Sequence, residues 1–276
     1  MGNKKFILNA DNFGVNNGIN RGVLDGYNAG LITSAGICAN GKEFDAAVNE
    51  ILPECPHLGI CANLNISFGN AISNCDFIAD GRRKFNNTYA SIYSMSANKK
   101  GIIAIEKEFR AQIEKISEIK KIDALNSNGN VHAIPRIFNI VCKLASEYNI
   151  PFVRLSREEI IIPHEFGKVT KLRFSVNLIK TLITNSFSKE NLKTAEKYGI
   201  KTNNLTIGTL YRGFLEPQLV EEYLNNIQGD CIVECFVIPD KVNRKKEYNL
   251  CQNKLLADKI FRCGFDLTNY RNLNEK

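Results

Sequence analysis

The sequence predicts an α/β fold: a single (β/α) barrel, complete or slightly distorted, that spans residues 1–276 as one domain. Short apolar runs alternate with amphipathic segments along almost the whole chain, which is typical of parallel strands joined by helices. A length of 276 residues suits one such barrel. No internal repeat or Pro/Gly/Ser-rich linker interrupts the alternation, so one domain is the simplest interpretation.

The first half of the chain contains the clearest strand and helix signals. The run at residues 5–10 is short and apolar, and it predicts a buried strand. Asn16 and Asn17 are suited to cap a helix that Gly30 ends, because short polar side chains bond free backbone N–H groups. Further strands are predicted at 31–38, 58–64 and 122–126, and further helices at 44–52, 101–121 and 135–148.

The remaining segments continue the same alternation. The polar stretch 67–98 is predicted to be a long loop over the active face of the barrel. A helical pattern covers 168–198, with a break predicted near Asn185 and Ser186. Strands are also predicted at 151–155, 205–210 and 231–239, and helices at 216–227 and 248–263.

The overall charge and its distribution limit the classes of partner. The chain carries a net charge of +7, and its basic residues form short clusters that are scattered along the sequence. A nucleic-acid-binding protein would more often concentrate basic and aromatic side chains on one face. No nucleic-acid partner is therefore predicted, and a homodimer is left open.

The cysteines and the apolar runs indicate the compartment. Nine cysteines occur without any C-x-x-C pair, which predicts neither a zinc ribbon nor a redox motif. No apolar run approaches the ~18 residues that a membrane-spanning helix needs, so no membrane span is predicted. Together with the lack of a secretory leader in the given sequence, these features predict a reducing, cytoplasmic location.

Four segments at the carboxyl ends of predicted strands carry the functional signal, because barrel chemistry lies at that face. They are Asn9-Ala10-Asp11-Asn12-Phe13-Gly14, Gly59-Ile60-Cys61-Ala62-Asn63-Leu64, Asn126-Ser127-Asn128-Gly129-Asn130-Val131-His132 and Glu234-Cys235-Phe236-Val237-Ile238-Pro239. A helical segment, Glu108-Phe109-Arg110-Ala111-Gln112-Ile113, accompanies them.

Together these segments resemble the YdjC-like carbohydrate deacetylases. The corresponding family motifs are N-A-D-D-F-G, G-x-H-x-N-L, D-S-H-Q-H-V-H and E-x-x-x-H-P, with E-x-x-A-Q-I on the helix. The resemblance covers almost the whole chain. It implies a (β/α) barrel of the polysaccharide-deacetylase-like type that hydrolyses the N-acetyl group of an amino sugar.

The resemblance also implies a divalent metal, magnesium or zinc, but the metal positions are altered in this chain. The family holds its metal with Asp, His and His, and the matching residues here are Asn12, Cys61 and Asn128. Because Asn is a weak ligand for zinc-like metals, no metal is expected to bind. Ile238 replaces a family His that would donate a proton to the leaving amine.

Asp11 and His132 are the members of the family's acid–base set that remain, and both are candidate catalytic residues. Each has a structural alternative: Asp11 as a turn or helix-cap residue, and His132 as a hydrogen-bonded loop residue. Asn63 and Asn130 are candidate substrate-binding residues, because amides both donate to and accept from sugar hydroxyls. Cys61 is alternatively a buried, inert thiol.

Three functions follow from these residues. The chain is a carbohydrate deacetylase homologue with a degenerate metal site, or it catalyses a metal-free reaction through Asp11 and His132. Alternatively, it is a non-catalytic protein that binds a carbohydrate or an enzyme partner. The expected ligand is a small molecule or oligosaccharide that contains an acetylated amino sugar.

Overall fold

The computed structural model describes residues 3–162 and 171–274, and it shows alternating strands and helices. The strands are β1 (Lys4–Phe13), β2 (Ser34–Ile37), β3 (Gly59–Leu64), β4 (Ala124–Ser127), β5 (Phe152–Val153), β6 (Leu205–Ile207), β7 (Cys231–Val237) and β8 (Phe265–Leu267). The helices are α1 (Asn17–Asn28), α2 (Phe44–Ala46), α3 (Tyr89–Ala97), α4 (Lys99–Ser117), α5 (Pro135–Glu147), α6 (Lys171–Lys197), α7 (Pro217–Asn225), α8 (Lys245–Leu250), α9 (Lys254–Arg262) and α10 (Tyr270–Asn274). A π-helical turn at Ala47–Ile51 and 3-10 turns at Leu52–Glu54 and Asn128–Ala133 also occur.

The strands form one parallel sheet in the order β5-β4-β3-β2-β1-β7-β6. Strand β1 pairs with β8 near its start and with β2 near its end, so two strands share one of its edges. A short parallel bridge between Phe152 and Lys201 joins β5 to the chain just before β6. The sheet therefore curves into a distorted (β/α) barrel, and the predicted fold class is confirmed.

The barrel interior is apolar at the amino ends of the strands and polar at their carboxyl ends. A small buried cluster of Ile7, Cys61, Ala124, Phe152 and Tyr270 fills the first region. Tyr270 comes from the C-terminal helix α10 and packs against Phe152, with 5.2 Å between the ring centroids. Because this end is filled by side chains, the functional groups are confined to the opposite end.

Several predicted elements differ from the structure. Helix α3 lies inside the segment predicted to be a loop, and Thr88 begins it by accepting a hydrogen bond from Ser91 N. Helix α6 is continuous where a break was expected, because the Asn185 amide bonds the backbone of Glu158 rather than its own turn. The predicted start of that helix, at residue 168, lies outside the described residues.

The final predicted helix is two helices, α8 and α9. Asn253 separates them, because its side chain caps α9 by accepting a hydrogen bond from Leu255 N at 3.1 Å. No helix in residues 3–162 and 171–274 combines the length and the hydrophobicity that a membrane-spanning segment needs.

Candidate functional site

An arginine that follows β5 occupies the centre of the polar end of the barrel. Arg154 is only 1% exposed, and its guanidinium lies between the carboxylates of Asp11 and Glu234. Its Nη1 and Nη2 donate to Asp11 Oδ2 and Oδ1 at 3.0 and 2.8 Å. Its Nε and Nη2 donate to Glu234 Oε2 and Oε1 at 2.9 and 2.5 Å. Both contacts are therefore bidentate, which is the strongest geometry for such a pair.

The electrostatics of this group depend on several neutral donors. Burial by itself would lower the pKa of Arg154, but the charges of Asp11 and Glu234 outweigh it and raise the pKa well above its ordinary value. Two carboxylates face one guanidinium, so one negative charge remains in excess. Tyr270 Oη donates to Glu234 Oε2 at 2.6 Å, and Asn9 Nδ2 donates to Asp11 Oδ1 at 2.9 Å. These donors stabilise the excess charge.

The predicted catalytic histidine is fully buried and holds the backbone of the arginine. His132 Nε2 lies 3.0 Å from the carbonyl oxygen of Arg154, and Nδ1 lies 2.6 Å from Ser127 Oγ. A carbonyl only accepts, so Nε2 carries the proton and Nδ1 accepts from the serine hydroxyl. Burial, aided by the charge of Arg154, lowers the pKa of His132 to about 3, so the ring is neutral.

The predicted asparagines join the same network. Asn63 Nδ2 donates to Asn126 Oδ1 at 2.8 Å, and Asn126 Nδ2 donates to Asp11 Oδ1 at 3.3 Å. Asn130 accepts from Arg154 Nη1 and donates to Thr209 Oγ1, both at 3.3 Å. The structure therefore places Asp11, Asn63 and Asn130 in one hydrogen-bond network with Arg154. His132 contacts the backbone carbonyl of Arg154 and not its guanidinium.

Some amide oxygens of this region have no hydrogen-bond partner. Among the described residues, Oδ1 of Asn9, Asn12 and Asn63 is buried and unpaired. An unpaired buried acceptor costs about 1–3 kcal/mol, so native proteins usually satisfy it with a partner, water or ligand. These oxygens therefore remain acceptors without a partner at the polar end of the barrel.

The strand ends adopt backbone conformations that most residues avoid. Asn12 has φ 67° and Asn130 has φ 57°, both in the left-handed region, and Gly129 between the strand end and Asn130 has φ 65°. Asparagine tolerates this region better than other side chains do, which is consistent with its use here. Such conformations concentrate where binding or catalysis requires a side chain to be aimed.

The residues at the three positions that the resemblance assigns to a metal, Asn12, Cys61 and Asn128, are a poor ligand set for a zinc-like or magnesium ion. Cys61 is fully buried in β3 beside Ile7 and Ala124, and burial, with the charge of Glu234, raises the pKa of its thiol well above the ordinary value. A neutral thiol is a poor ligand, and Asn12 and Asn128 supply no charge. Within residues 3–162 and 171–274, no three His, Cys, Asp or Glu side chains converge to hold an ion.

Two central residues of the site were not among the candidate site residues named from the sequence: Arg154, and Glu234, which appears there only as the first residue of the fourth motif. Each interrupts an otherwise apolar run, in Pro-Phe-Val-Arg-Leu and Cys-Ile-Val-Glu-Cys-Phe-Val. A charge inside a buried strand requires a partner of opposite sign, because an isolated buried charge is very costly. That signal identifies both residues, but it does not say that they bind each other.

The helical motif at residues 108–113 has a structural role. Glu108 is fully buried and accepts hydrogen bonds from the backbone N–H groups of Ile72 and Ser73 at 3.1 and 2.8 Å. Gln112 exchanges hydrogen bonds with the backbone of Asn65 at 2.7 and 2.8 Å. The two side chains fasten the segment after β3 to α4, and so position the loop that borders the site.

Comparisons with known proteins agree with this architecture. The family model described as YdjC-like protein matches residues 5–260. A carbohydrate deacetylase from Brevibacillus brevis is 34% identical over 149 residues, which are 53% of this chain and 58% of that protein. One from Listeria monocytogenes serotype 4b is 29% identical over 220 residues, which are 79% of this chain and 84% of that protein.

A solved structure shows the same fold. A protein from Enterococcus faecalis V583, named for cellobiose-phosphate cleavage, superposes with a TM-score of 0.76 at 19% identity. The match covers 98% of this chain and 99% of that one. The family model, the curated relatives and the barrel together show that the chain belongs to the YdjC-like family, the family of the carbohydrate deacetylases.

Proposed function

We propose that this chain binds an acetylated amino sugar over the carboxyl ends of its strands and has lost the metal-dependent deacetylation of its family. The observation that supports this most is the donor set. Asn12, Cys61 and Asn128 present neutral groups where the resemblance implies three metal ligands, and Asp11 is bound by Arg154. The cation beside Asp11 is thus a guanidinium of the chain itself.

The binding part of the proposal rests on the amide groups. Asn9, Asn12 and Asn63 have buried oxygens without partners among the described residues, and sugars carry hydroxyl and acetamido N–H donors. A site built to receive such donors rejects ligands that lack them, because its acceptors would stay unpaired. Asn63 lies at the carboxyl end of β3 and is therefore a substrate-binding residue in this proposal.

Metal-free hydrolysis is disfavoured by the surroundings of the two candidate catalytic residues. Asp11 Oδ1 already accepts from Arg154, Asn9 and Asn126, which leaves only Oδ2 to accept a further proton. His132 has both ring nitrogens engaged and none of its surface exposed. Ile238, where the family has a proton donor, is apolar, so the leaving amine has no acid.

The test compares the native chain with the variant Asn12→Asp, Cys61→His, Asn128→His. Sugar binding is measured by calorimetry with N,N'-diacetylchitobiose, bound metal by elemental analysis, and hydrolysis by acetate release. The native chain is expected to bind the sugar, carry no stoichiometric metal and release no acetate. The variant is expected to take up about one divalent ion per chain, because it regains three charged or imidazole ligands.

A matched control carries the same three types of substitution at exposed or half-exposed positions, namely Asn28→Asp, Cys263→His and Asn272→His. It is expected to take up no metal. A stoichiometric metal in the native chain would overturn the proposal. Acetate release that persists in excess chelator and disappears in Asp11→Ala would assign the metal-free reaction instead.

A further inference from the structure

Another buried carboxylate lies beside the site and takes no part in the ion pairs of Arg154. Glu158 belongs to the segment that follows β5, and only 3% of its surface is exposed. Within the described part of the chain, it forms no salt bridge with a lysine or an arginine. Because an isolated buried charge is very costly, hydrogen bonds must stabilise this carboxylate instead.

The loop between β6 and α7 supplies those hydrogen bonds. Successive backbone N–H groups converge on the carboxylate: Gly208 N lies 3.1 Å from Oε1, Thr209 N lies 2.7 Å from Oε2, and Leu210 N lies 3.3 Å from both oxygens. Tyr223 Oη also donates to Oε1, at 3.2 Å. Successive N–H groups that point inward form a concavity that binds anions, and here a side chain of the same protein fills it.

Both partners of this contact are fixed by their surroundings. Gly208 has φ 141°, and a Cβ at this position would lie 2.4 Å from the carbonyl oxygen of Phe236, so only glycine fits there. The amide of Asn185 in α6 accepts from the N–H of Glu158 at 2.9 Å and donates to its carbonyl oxygen at 2.7 Å. The loop and the carboxylate are therefore held in a defined relative position.

The contact reaches the site through Thr209. Its Oγ1 accepts from Asn130 Nδ2 at 3.3 Å, and Asn130 Oδ1 accepts from Arg154 Nη1 at 3.3 Å. A guanidinium only donates, so the Asn130 oxygen must face Arg154 and its NH2 group must face Thr209. The threonine hydroxyl is then an acceptor, and its own proton must point to another group.

The Glu158 carboxylate is that other group. Burial raises the pKa of Glu158, and hydrogen bonds from the backbone N–H groups of the loop and from the Thr209 side chain oppose the rise. A chain of hydrogen bonds therefore runs from Glu158 through Thr209 and Asn130 to the guanidinium at the centre of the site.

We infer that Glu158 is a positioning residue for sugar binding, because its carboxylate orients Thr209 and Thr209 in turn fixes the amide of Asn130. The inference rests on the proposed sugar binding and adds to it a residue that acts only through its neighbours. A glutamine cannot replace Glu158, since its NH2 group would face the N–H donors of the loop. An amide that is free to turn must be ordered when the sugar binds, and this ordering costs affinity.

The first experiment measures the affinity for N,N'-diacetylchitobiose by calorimetry. Glu158→Gln is expected to bind the sugar about three- to tenfold more weakly than the native chain, which is the cost of ordering one side chain. Glu159→Gln makes the same change at the neighbouring, exposed position and is expected to bind as tightly as the native chain. Equal affinities of the native chain and Glu158→Gln, or equal losses in the two variants, would overturn the inference while the sugar-binding function stands.

A pair of substitutions at Thr209 separates positioning from packing, and it also decides the question if Glu158→Gln does not fold. Thr209→Val keeps the shape of the side chain but loses the hydroxyl, and it is expected to weaken sugar binding as Glu158→Gln does. Thr209→Ser loses a methyl group but keeps the hydroxyl, and it is expected to retain the native affinity. The reverse order, with the serine variant weaker than the valine variant, would indicate packing alone and overturn the inference.

Nuclear magnetic resonance of the sugar-free protein provides an arm that does not depend on sugar. The side-chain NH2 resonances of Asn130 are expected to shift in Glu158→Gln and Thr209→Val, and to keep their native positions in Glu159→Gln and Thr209→Ser. If these shifts occur but the native chain binds no sugar, the orienting of Asn130 by Glu158 stands and the proposed function fails. If the resonances are the same in every variant, Glu158 does not orient Asn130 and the inference fails.

Discussion

Removing the guanidinium at the centre of the barrel tests the charge arrangement most directly. In Arg154→Met the side chain keeps an apolar stem against Phe236, over whose ring the guanidinium lies at 4.5 Å. The variant loses four hydrogen bonds to the carboxylates of Asp11 and Glu234, and a fifth to Asn130. Asp11 and Glu234 are then buried without a cation. Breaking a buried ion pair by removing one partner costs about 3–5 kcal/mol, and we expect a loss in that range.

The assay is urea unfolding at neutral pH, with thermal melts alongside. For a chain of this size, each kcal/mol corresponds to about 2–4 °C, so the melting temperature should fall by about 10 °C. Arg262→Met, at an exposed position, removes the same charge and should change the free energy of unfolding by no more than about 0.5 kcal/mol. The difference between the two variants isolates the buried interactions.

A neutralised variant separates charge from packing. Arg154→Met combined with Asp11→Asn and Glu234→Gln leaves no buried charge in the network, and we expect it to recover most of the lost stability. Replacing a whole buried ionic group is often neutral or stabilising, whereas removing one member is not. The reasoning is refuted if Arg154→Met costs less than about 1 kcal/mol, or if the triple variant is no more stable than the single one.

Three further predictions concern individual side chains. Because the pKa of His132 is lowered to about 3, the unfolded chain binds a proton that the folded chain refuses. The free energy of unfolding should therefore fall as pH drops from 6.5 toward 3, and it should fall less steeply in His132→Gln. Urea unfolding at pH 7 and pH 5 measures the fall in both proteins. An equal fall in the native chain and in His132→Gln would contradict the prediction. Of the nine thiols, half-exposed Cys263 should react first with a thiol reagent at pH 8, and buried Cys61 only after unfolding. Fast labelling of Cys61, seen by peptide mass spectrometry, would argue against its burial. Asn12→Ala should lower the free energy of unfolding by about 1 kcal/mol, because the backbone at this position is left-handed, and Asn12→Gly should lower it less. Added Mg²⁺ or Zn²⁺ should leave the melting temperatures of both variants unchanged. A larger loss that metal reverses would indicate a bound ion.

The local patterns were sufficient for the fold class and the family. Most strands are short apolar runs, and helices such as α1, α4 and α5 carry a periodic apolar face. Both signals depend only on near neighbours in sequence. The motifs at residues 9–14 and 126–132 lie where strands end, so their position at the barrel mouth also follows from local pattern. For the same reason the sequence does not predict α3, because residues 67–98, which contain it, have the polar composition of a loop.

The partners of the charged side chains were decided only by the tertiary structure. Arg154 is 143 residues from Asp11 and 80 residues from Glu234, and no local rule relates such positions. His132 acts on the backbone of Arg154, 22 residues away, and Lys180 lies near Arg212 only because α6 packs on the loop after β6. The residue types show that buried charges must be paired, because desolvation is costly, but the closing of the barrel determines which charges meet and which stay without a partner.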